Sequence, residues 1–168
     1  MLKIPLIYLK DKQAFRKEDG TLKIIGKPAD LARDWKKEGV KLIHIIDMDA
    51  MNGNTTNFDV YDTLTYIMNV QVEGANTEKM IAKLLNVDAR VIIELPTKLN
   101  LSKFSEKKRL MVGKITDAKD MSNDVYDIYY PGTDEKTAEK LLKTKRRIIL
   151  TSTIKINSRI KPFGKVEI

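Results

Sequence analysis

Short apolar runs alternate with amphipathic stretches along the first half of the chain. Residues 3–9 form an apolar run that ends at a polar turn, which is typical of a buried strand. Residues 11–23 are polar and contain an Asp-Gly turn signal, so they predict a loop or a small hairpin. Pro28 opens a helix that Gly39 closes. Residues 41–47 are almost continuously apolar, which indicates a strand buried on both faces, as in parallel sheets.

The same alternation continues with weaker signals toward the end of the chain. Apolar residues at helical spacing predict helices, and short β-branched runs predict strands. The predicted helices cover residues 58–68, 77–85, 101–108 and 134–143, and the predicted strands cover residues 70–72, 90–95, 109–113, 125–130, 147–151 and 165–168. Strands that alternate with helices across short connections indicate right-handed βαβ units and a parallel sheet.

The number of predicted strands is high for the length of the chain. A full (β/α)₈ barrel usually needs about 250 residues, whereas this chain has 168. We therefore predict one α/β domain over residues 1–168, a shortened TIM-type (β/α) barrel with reduced or missing outer helices in its second half. An open doubly wound sheet is the alternative, but the sequence lacks a dinucleotide fingerprint and a P-loop. Missing helices would leave apolar barrel surface uncovered, so we expect a homo-oligomer.

The positive charge of the protein is concentrated near its end. The net charge is +8, and residues 140–168 hold nine Lys or Arg and one acid, Glu167. The rest of the chain carries 22 basic and 22 acidic residues. A local anion or partner site therefore fits the distribution better than binding along a nucleic-acid backbone. The cluster at residues 143–147 is typical of a solvated helix end. Nucleic-acid binding remains an alternative, because bases could stack on the tyrosines at 126, 129 and 130.

Composition narrows the remaining classes of chemistry. The chain has no cysteine, so disulfides and thiolate sites are excluded, and one histidine with scattered acids predicts no metal site. No cofactor fingerprint is present. No apolar run approaches the roughly 18 residues that a membrane span needs, and the first residues lack the features of a signal peptide. We therefore expect a cytoplasmic protein without a membrane partner.

The segment 27–57 resembles a known family. Its matching residues are Pro28, Leu31, Ala32, Gly39, His44, Asp47, Asp49, Ala50 and Asn57, and residues 4–11 match the opening of the same family. The segment is similar to phosphoribosylformimino-aminoimidazole-carboxamide ribotide isomerase and to the related cyclase subunit of histidine biosynthesis. The resemblance implies a barrel whose chemistry lies at the carboxyl ends of its strands.

The resemblance also implies a pair of catalytic aspartates, at the ends of strands one and five. The isomerase moves a proton between neighbouring carbons, which needs one group to give a proton and another to take one. Tyr8 stands at the strand-one position, and no carboxylate falls at the strand-five position, where Asp117 lies beyond the strand. We therefore expect no parent isomerase activity. Tyr8, Asp47 and Lys114 are the candidate catalytic residues for any changed chemistry.

Phosphate binding in the family relies on glycine-rich turns after strands three, four, seven and eight. Here the corresponding residues are Glu73-Gly74, Glu94 and the Thr151-Ser152-Thr153 turn. Hydroxyl groups in that turn, near Lys155 and Arg159, can still hold a phosphate. The candidate ligand-binding residues are therefore Asp49, Glu73, Gly74, Glu94, Thr151, Ser152 and Thr153.

Three functions stay open at this point. The first is an isomerase-like barrel protein that binds a phosphorylated sugar or a nucleotide-derived metabolite. The second is an enzyme with a changed reaction, in which Asp47, Glu73 and Glu94 form a carboxylate cluster whose like charges raise a pKa. The third is a non-catalytic module that binds protein or RNA through its basic end. The competing structural readings are that Asp47 caps the following loop and that His44 packs in the core.

Overall fold

Ten strands form one continuous sheet in the computed structural model, which describes residues 1–157 and 159–168. The strands that the sequence predicts to be buried on both faces lie in the central part of this sheet. The strands are β1 (Leu2–Lys10), β2 (Gln13–Glu18), β3 (Thr21–Gly26), β4 (Leu42–Asp47), β5 (Asn69–Glu73), β6 (Arg90–Glu94), β7 (Met111–Lys114), β8 (Asp127–Tyr129), β9 (Arg147–Thr151) and β10 (Gly164–Glu167).

Eight of these strands close into a parallel barrel. β1 and β4 to β10 follow one another in chain order around it. β10 pairs back in parallel with β1, from Leu2 opposite Gly164 to Pro5 opposite Glu167. The predicted TIM-type barrel is therefore confirmed, and the open doubly wound sheet is excluded.

The α-helices pack on the outside of the barrel, and their first residues explain where they begin. α1 (Pro28–Lys37) has its proline in the first turn. α4 (Glu78–Asn86) and α5 (Glu135–Leu142) begin after Thr77 and Asp134, whose side chains accept a hydrogen bond from a backbone N–H of the first turn. The remaining two are α2 (Met48–Met51) and α3 (Phe58–Ile67). None of the helices in the described ranges is long and apolar enough to cross a bilayer.

The second half of the barrel has a reduced outer layer, as predicted. Two 3₁₀ segments, Leu101–Leu110 and Ala118–Asp120, flank β7. In the described residues between β9 and β10, 152–157 and 159–163, there is no helix. The fifth barrel strand begins at Met111 rather than at residue 109, because the 3₁₀ segment continues to Leu110.

The polar segment after β1 is a hairpin of two strands. Asp11 and Lys12 make the first turn with φ angles of 46° and 64°, a pair of positive values that tight hairpin turns require. β2 then runs antiparallel beside the upper part of β1, from Tyr8 opposite Phe15 to Lys10 opposite Gln13. The hairpin therefore continues the barrel wall above the end of β10.

Apolar side chains fill both the interior of the barrel and the layer outside it. The interior cluster contains Ile4, Leu42, Ile92, Val112, Tyr129, Ile149 and Val166. Alternate residues on the same strands point outward into the larger cluster beneath the helices, among them Ile7, Ile43, Val91, Ile128 and Leu150. This two-residue alternation decides which side chains can reach the barrel lumen.

The outward-facing side chains of the barrel strands are apolar where helices or connecting segments cover them and charged where helices are missing. The outward residues of β7, β8 and β9 are buried under α5 and the connecting segments; they are Met111, Ile128, Ile148 and Leu150. The outward residues near the β10–β1 pairing are Lys3 and Glu167, both exposed, and the partly exposed Lys165. The uncovered apolar surface that motivated the expected homo-oligomer is thus not found at this pairing. Self-association remains a prediction.

The amino-terminal end of the barrel is held together by a buried ion cluster. Asp127 is fully buried, and both of its carboxylate oxygens accept hydrogen bonds from Arg147, each at 2.7 Å. Arg90 donates to the same carboxylate at 2.5 Å. The Arg147 guanidinium also lies 3.8 Å from the centre of the Phe163 ring. This cluster closes the barrel end opposite to the carboxyl ends of the strands.

Asp127→Asn should destabilise the protein strongly, because it removes the negative charge between two arginines in a buried site. We expect the free energy of unfolding in a urea titration to fall by roughly 3 kcal/mol. The matched control is Asp30→Asn, which breaks an exposed pair with Arg33 and should cost less than about 0.5 kcal/mol. Equal losses in the two variants would contradict a structural role for the buried cluster.

Candidate functional site

The carboxyl ends of the parallel strands meet at one rim, which we call the barrel mouth. Inward-facing positions there are Tyr8 on β1, Glu73 on β5, Glu94 on β6 and Lys114 on β7. Register pairs bring them together, since Glu94 lies opposite Lys114 and Glu73 lies opposite Ile46, which in turn lies opposite Tyr8. In barrels of this class the chemistry is built at this rim.

Glu73 is the centre of the polar group in the mouth. Its side chain is 15% exposed, and one oxygen lies 3.3 Å from the Lys114 ammonium. Lys114 also lies 3.5 Å from a carboxylate oxygen of Glu94, whose side chain is 81% exposed. The lysine therefore stands between a buried carboxylate and a solvated one.

The environment of Glu73 favours its charged form. Burial by itself would raise the pKa of the carboxyl group, but the contacts with His44 and the positive charge of Lys114 outweigh burial and lower the pKa below its usual value of 4.5. The predicted cluster of like charges with a raised pKa is therefore wrong for Glu73, because Lys114 separates it from Glu94. Burial also raises the pKa of Tyr129 well above its usual value, and the charge of Glu73 adds to the effect.

His44 lies directly beneath this group. It is fully buried, its Nδ1 is 3.0 Å from the amide nitrogen of Gln71, and its ring centre is 5.1 Å from that of Tyr129. Its Nε2 has no hydrogen-bond partner among the described residues and faces a Glu73 oxygen at 3.7 Å, a distance longer than an ordinary hydrogen bond. The histidine is thus a packed core residue, as the sequence indicated, but one that contacts the polar group of the mouth.

A cleft of about 420 Å³ opens beside Glu73 and Lys114. Its other lining residues include Met51, Gly74, Ala75, Asn76, Glu94, Pro96, Thr97, Lys98 and Leu99. Gly74 has a φ of 134°, and a Cβ atom there would lie 2.6 Å from the carbonyl oxygen of Asp47. Only glycine fits this close approach, which keeps the backbone after β5 open toward the cleft.

Asp47 does not join the mouth. It lies on the outward-facing side of β4, is fully buried, and begins α2 by accepting a hydrogen bond from the backbone N–H of Ala50 at 2.9 Å. Asn57 and Tyr61 donate to the same carboxylate at 2.9 and 2.7 Å. These contacts are those of the capping carboxylate that the sequence offered as the alternative to a catalytic role.

Asp49 belongs to the same outer network. Its Oδ2 accepts hydrogen bonds from the backbone N–H of Asp11 and from Asn57, both at 2.9 Å. Asn57 in turn accepts from the backbone N–H of Lys12 at 2.7 Å. The network fixes the turn between β1 and β2 to the end of β4, and so it positions Tyr8 and the hairpin rather than contacting the cleft.

The Thr151-Ser152-Thr153 turn lies on the same rim and begins with the last residue of β9. The hydroxyl groups of Thr151 and Thr153 are 3.0 Å apart, and Ser152 accepts a hydrogen bond from the backbone N–H of Ile168 at 3.2 Å. No contact joins this turn to Glu73 or Lys114 within the described ranges. Lys155 and Arg159 are both exposed.

Sequence reasoning named Glu73, Glu94 and Lys114 but left His44, Gln71 and Tyr129 outside the site. The missing signal was the strand register. Once β4 is paired with β5 and β7 with β8, two-residue alternation sends these side chains into the same lumen.

A closed parallel eight-stranded barrel with its polar group at the carboxyl ends of the strands is a TIM-type barrel. The sequence pattern of the family described as "Histidine biosynthesis protein" matches residues 4–154. The chain belongs to this family.

Individual relatives match parts of the chain. An uncharacterised protein of Methanocaldococcus jannaschii is 32% identical over 117 residues, which cover 62% of this chain and 52% of the relative. The 1-(5-phosphoribosyl)-5-((5-phosphoribosylamino)methylideneamino)imidazole-4-carboxamide isomerase of Nitrosopumilus maritimus is 32% identical over 97 residues, covering 54% and 41%. The isomerase of that name from Chlorobaculum tepidum is 30% identical over 102 residues, covering 55% and 39%. The matches thus span about half or less of the length of these curated relatives.

The lowered pKa of Glu73 predicts how its contribution to stability depends on pH. A carboxylate whose pKa is lower in the folded state stabilises the protein above its unfolded pKa, and this contribution disappears as the pH falls through the folded value. The free energy of unfolding of Glu73→Gln should therefore differ most from that of the unaltered protein near neutral pH, and the difference should shrink below about pH 4.

Urea titrations between about pH 3 and pH 7 measure this difference. Glu94→Gln is the matched control, since its exposed carboxylate should give only a small difference at every pH. A constant difference for Glu73→Gln across the range would show that its charge does not stabilise the fold.

Proposed function

We propose that the protein binds a small phosphorylated sugar or nucleotide-derived metabolite at the barrel mouth and does not catalyse the isomerisation named for its relatives. The observation that carries this proposal is the cleft beside Lys114, where an ammonium group lies between a buried and a solvated carboxylate.

The absence of isomerase activity rests on the inward residues of two strands. The family resemblance implies aspartates at the ends of the first and fifth barrel strands, and the inward residues there are Tyr8 on β1 and Lys114 on β7. Neither a phenol nor an ammonium group supplies the carboxylate that the family's proton transfer uses. The isomerase reaction therefore lacks both of its proton-transfer groups.

Lys114 supplies the charge for an anionic ligand. Its contact with Glu94 is 3.5 Å long, and the Glu94 side chain is 81% exposed, so this carboxylate can turn into solvent when an anion arrives. Glu73 stays in place because it is buried against His44. One phosphate group then takes the place of Glu94 beside the Lys114 ammonium, whose pairing with Glu73 is kept.

The second candidate function is that of an enzyme with a changed reaction. The environment of Glu73 is the observation that favours it. The residue is an ionised carboxylate in a mostly buried position, between an imidazole and an ammonium group, at the rim where barrel enzymes place their bases. The outcome that would identify this function is ligand turnover that Glu73→Gln abolishes while ligand binding is retained.

The third function, a module that acts through the basic end of the chain, receives less support. Arg147 binds Asp127 inside the barrel, and Arg146 donates hydrogen bonds to the backbone carbonyl groups of Ser122 and Tyr126. Lys165 donates to the carbonyl group of Ile154. Part of the charge excess is therefore used within the fold.

Ribose 5-phosphate should raise the thermal unfolding temperature of the protein. A ligand at 100 times its Kd adds about 2.7 kcal/mol to the free energy of unfolding. Lys114→Gln should abolish the shift, and Lys119→Gln, which alters an exposed lysine outside the cleft, should preserve it. The proposed site is wrong if both variants respond like the unaltered protein or if no sugar phosphate produces a shift.

The parent aminoaldose should not be isomerised. Measured by product absorbance, turnover should stay at the level of the uncatalysed reaction, because the two carboxylates that exchange the proton are absent. A rate of about 1 s⁻¹ or more, which is ordinary for enzymes, would contradict this expectation and would assign catalysis to other residues of the mouth.

A further inference from the structure

A second cleft lies on the side of the barrel where β1 changes partners. β10 pairs with β1 as far as Pro5, and β2 begins to pair with β1 at Tyr8. Between Pro5 and Tyr8, this edge of β1 is paired with neither β10 nor β2. The opening is about 440 Å³ and is lined by Pro5, Leu6, Tyr8, Arg16, Lys17, Trp35, Glu167 and Ile168. We call it the seam cleft.

The lining of the seam cleft combines two aromatic side chains with two cations. Trp35 comes from α1 and Tyr8 from β1, so the rings are supplied by two different elements. Arg16 and Lys17 come from the hairpin strand β2, and the Lys17 ammonium lies 6.0 Å from the centre of the Tyr8 ring. Glu167 has the single carboxylate side chain in the lining.

The cations of the seam cleft are available for a ligand. Both side chains are exposed, and neither forms a salt bridge within the described residues. The neighbouring lysine of the hairpin behaves differently, since Lys23 lies 2.8 Å from Glu18. Arginine and lysine without a carboxylate partner bind phosphate or carboxylate groups, and aromatic rings provide a stacking surface for planar molecules.

We infer that the seam cleft binds a small planar aromatic molecule that carries a phosphate or a carboxylate group. The ring packs against Trp35, and the anionic group pairs with Arg16 and Lys17. The volume suits one such molecule, because ligand pockets usually start at roughly 300 Å³. This site is separate from the proposed function of the mouth, since its cations and Trp35 do not line the cleft beside Lys114.

Trp35 is the single tryptophan of the chain, so its fluorescence reports directly on the seam cleft. The probes are adenosine 5′-monophosphate and benzoate, with emission excited where neither absorbs. We expect at least one of them to quench Trp35 saturably with a Kd of about 1 mM or lower. Adenosine and ribose 5-phosphate, which lack the charge or the ring, should bind more weakly. A response to the nucleotide alone identifies phosphate as the preferred anion, and a response to benzoate alone identifies carboxylate.

The double variant Arg16→Gln/Lys17→Gln should raise the Kd at least about tenfold, because it removes the charge-assisted contacts. Lys23→Gln on the same hairpin is the matched control and should leave the Kd unchanged. Lys114→Gln should also leave it unchanged, which separates this site from the mouth. The inference is overturned if neither probe gives saturable quenching, if the double variant binds as well as the unaltered protein, or if Lys114→Gln abolishes the response.

Discussion

Closure of the barrel depends on four register pairs between β1 and β10, the first and last strands of the ring. Without them the sheet would have two free edges, and the carboxyl ends of β1 and β7 would not face a common lumen. Gly164 leaves room beside this pairing for the buried Ile4 side chain, since a Cβ atom there would lie 2.6 Å from the Ile4 Cδ1 atom. The mouth, the interior apolar cluster and the buried Asp127 cluster all exist because this ring closes.

Within the closed ring, charge is arranged differently at the two ends. The amino-terminal end holds a carboxylate between two arginines, both fixed by hydrogen bonds. The carboxyl-terminal end holds an ammonium group between two glutamates, one of which is exposed. In the first arrangement the fully buried Asp127 carboxylate is paired with both arginines, so it stabilises the fold. The second has a partner that can exchange with a ligand, which is what a binding site needs.

Much of the fold could be predicted from the sequence, because buried parallel strands are apolar on both faces. The strands at residues 41–47 and 90–95 were predicted to within one residue for that reason. The same property hides the site, since a strand that is apolar on both faces does not show which face is inward. Asp47 ends its strand next to the inward Ile46, and only the register with β5 shows that it points away from the lumen.

The hairpin and the fifth strand show a different limit. A polar stretch with an Asp-Gly turn fits a loop as well as two strands, and only the structure shows that it pairs with β1. Arg109 and Leu110 look like the beginning of a strand, yet they complete a 3₁₀ segment. Residues 73, 94 and 114 were named from the sequence; their mutual contacts required the structure.

The exposed outer surface of β10 and β1 shows where a parallel barrel needs a covering helix. Parallel sheets are normally covered on both faces, but here Lys3, Lys165 and Glu167 present charged side chains on the outside of two paired parallel strands. The hydrogen-bond ladder between these strands is intact without a helix over it. An outer helix is thus a response to apolar side chains on the wall, and a barrel can dispense with one wherever its strands alternate between an apolar interior and a hydrated exterior.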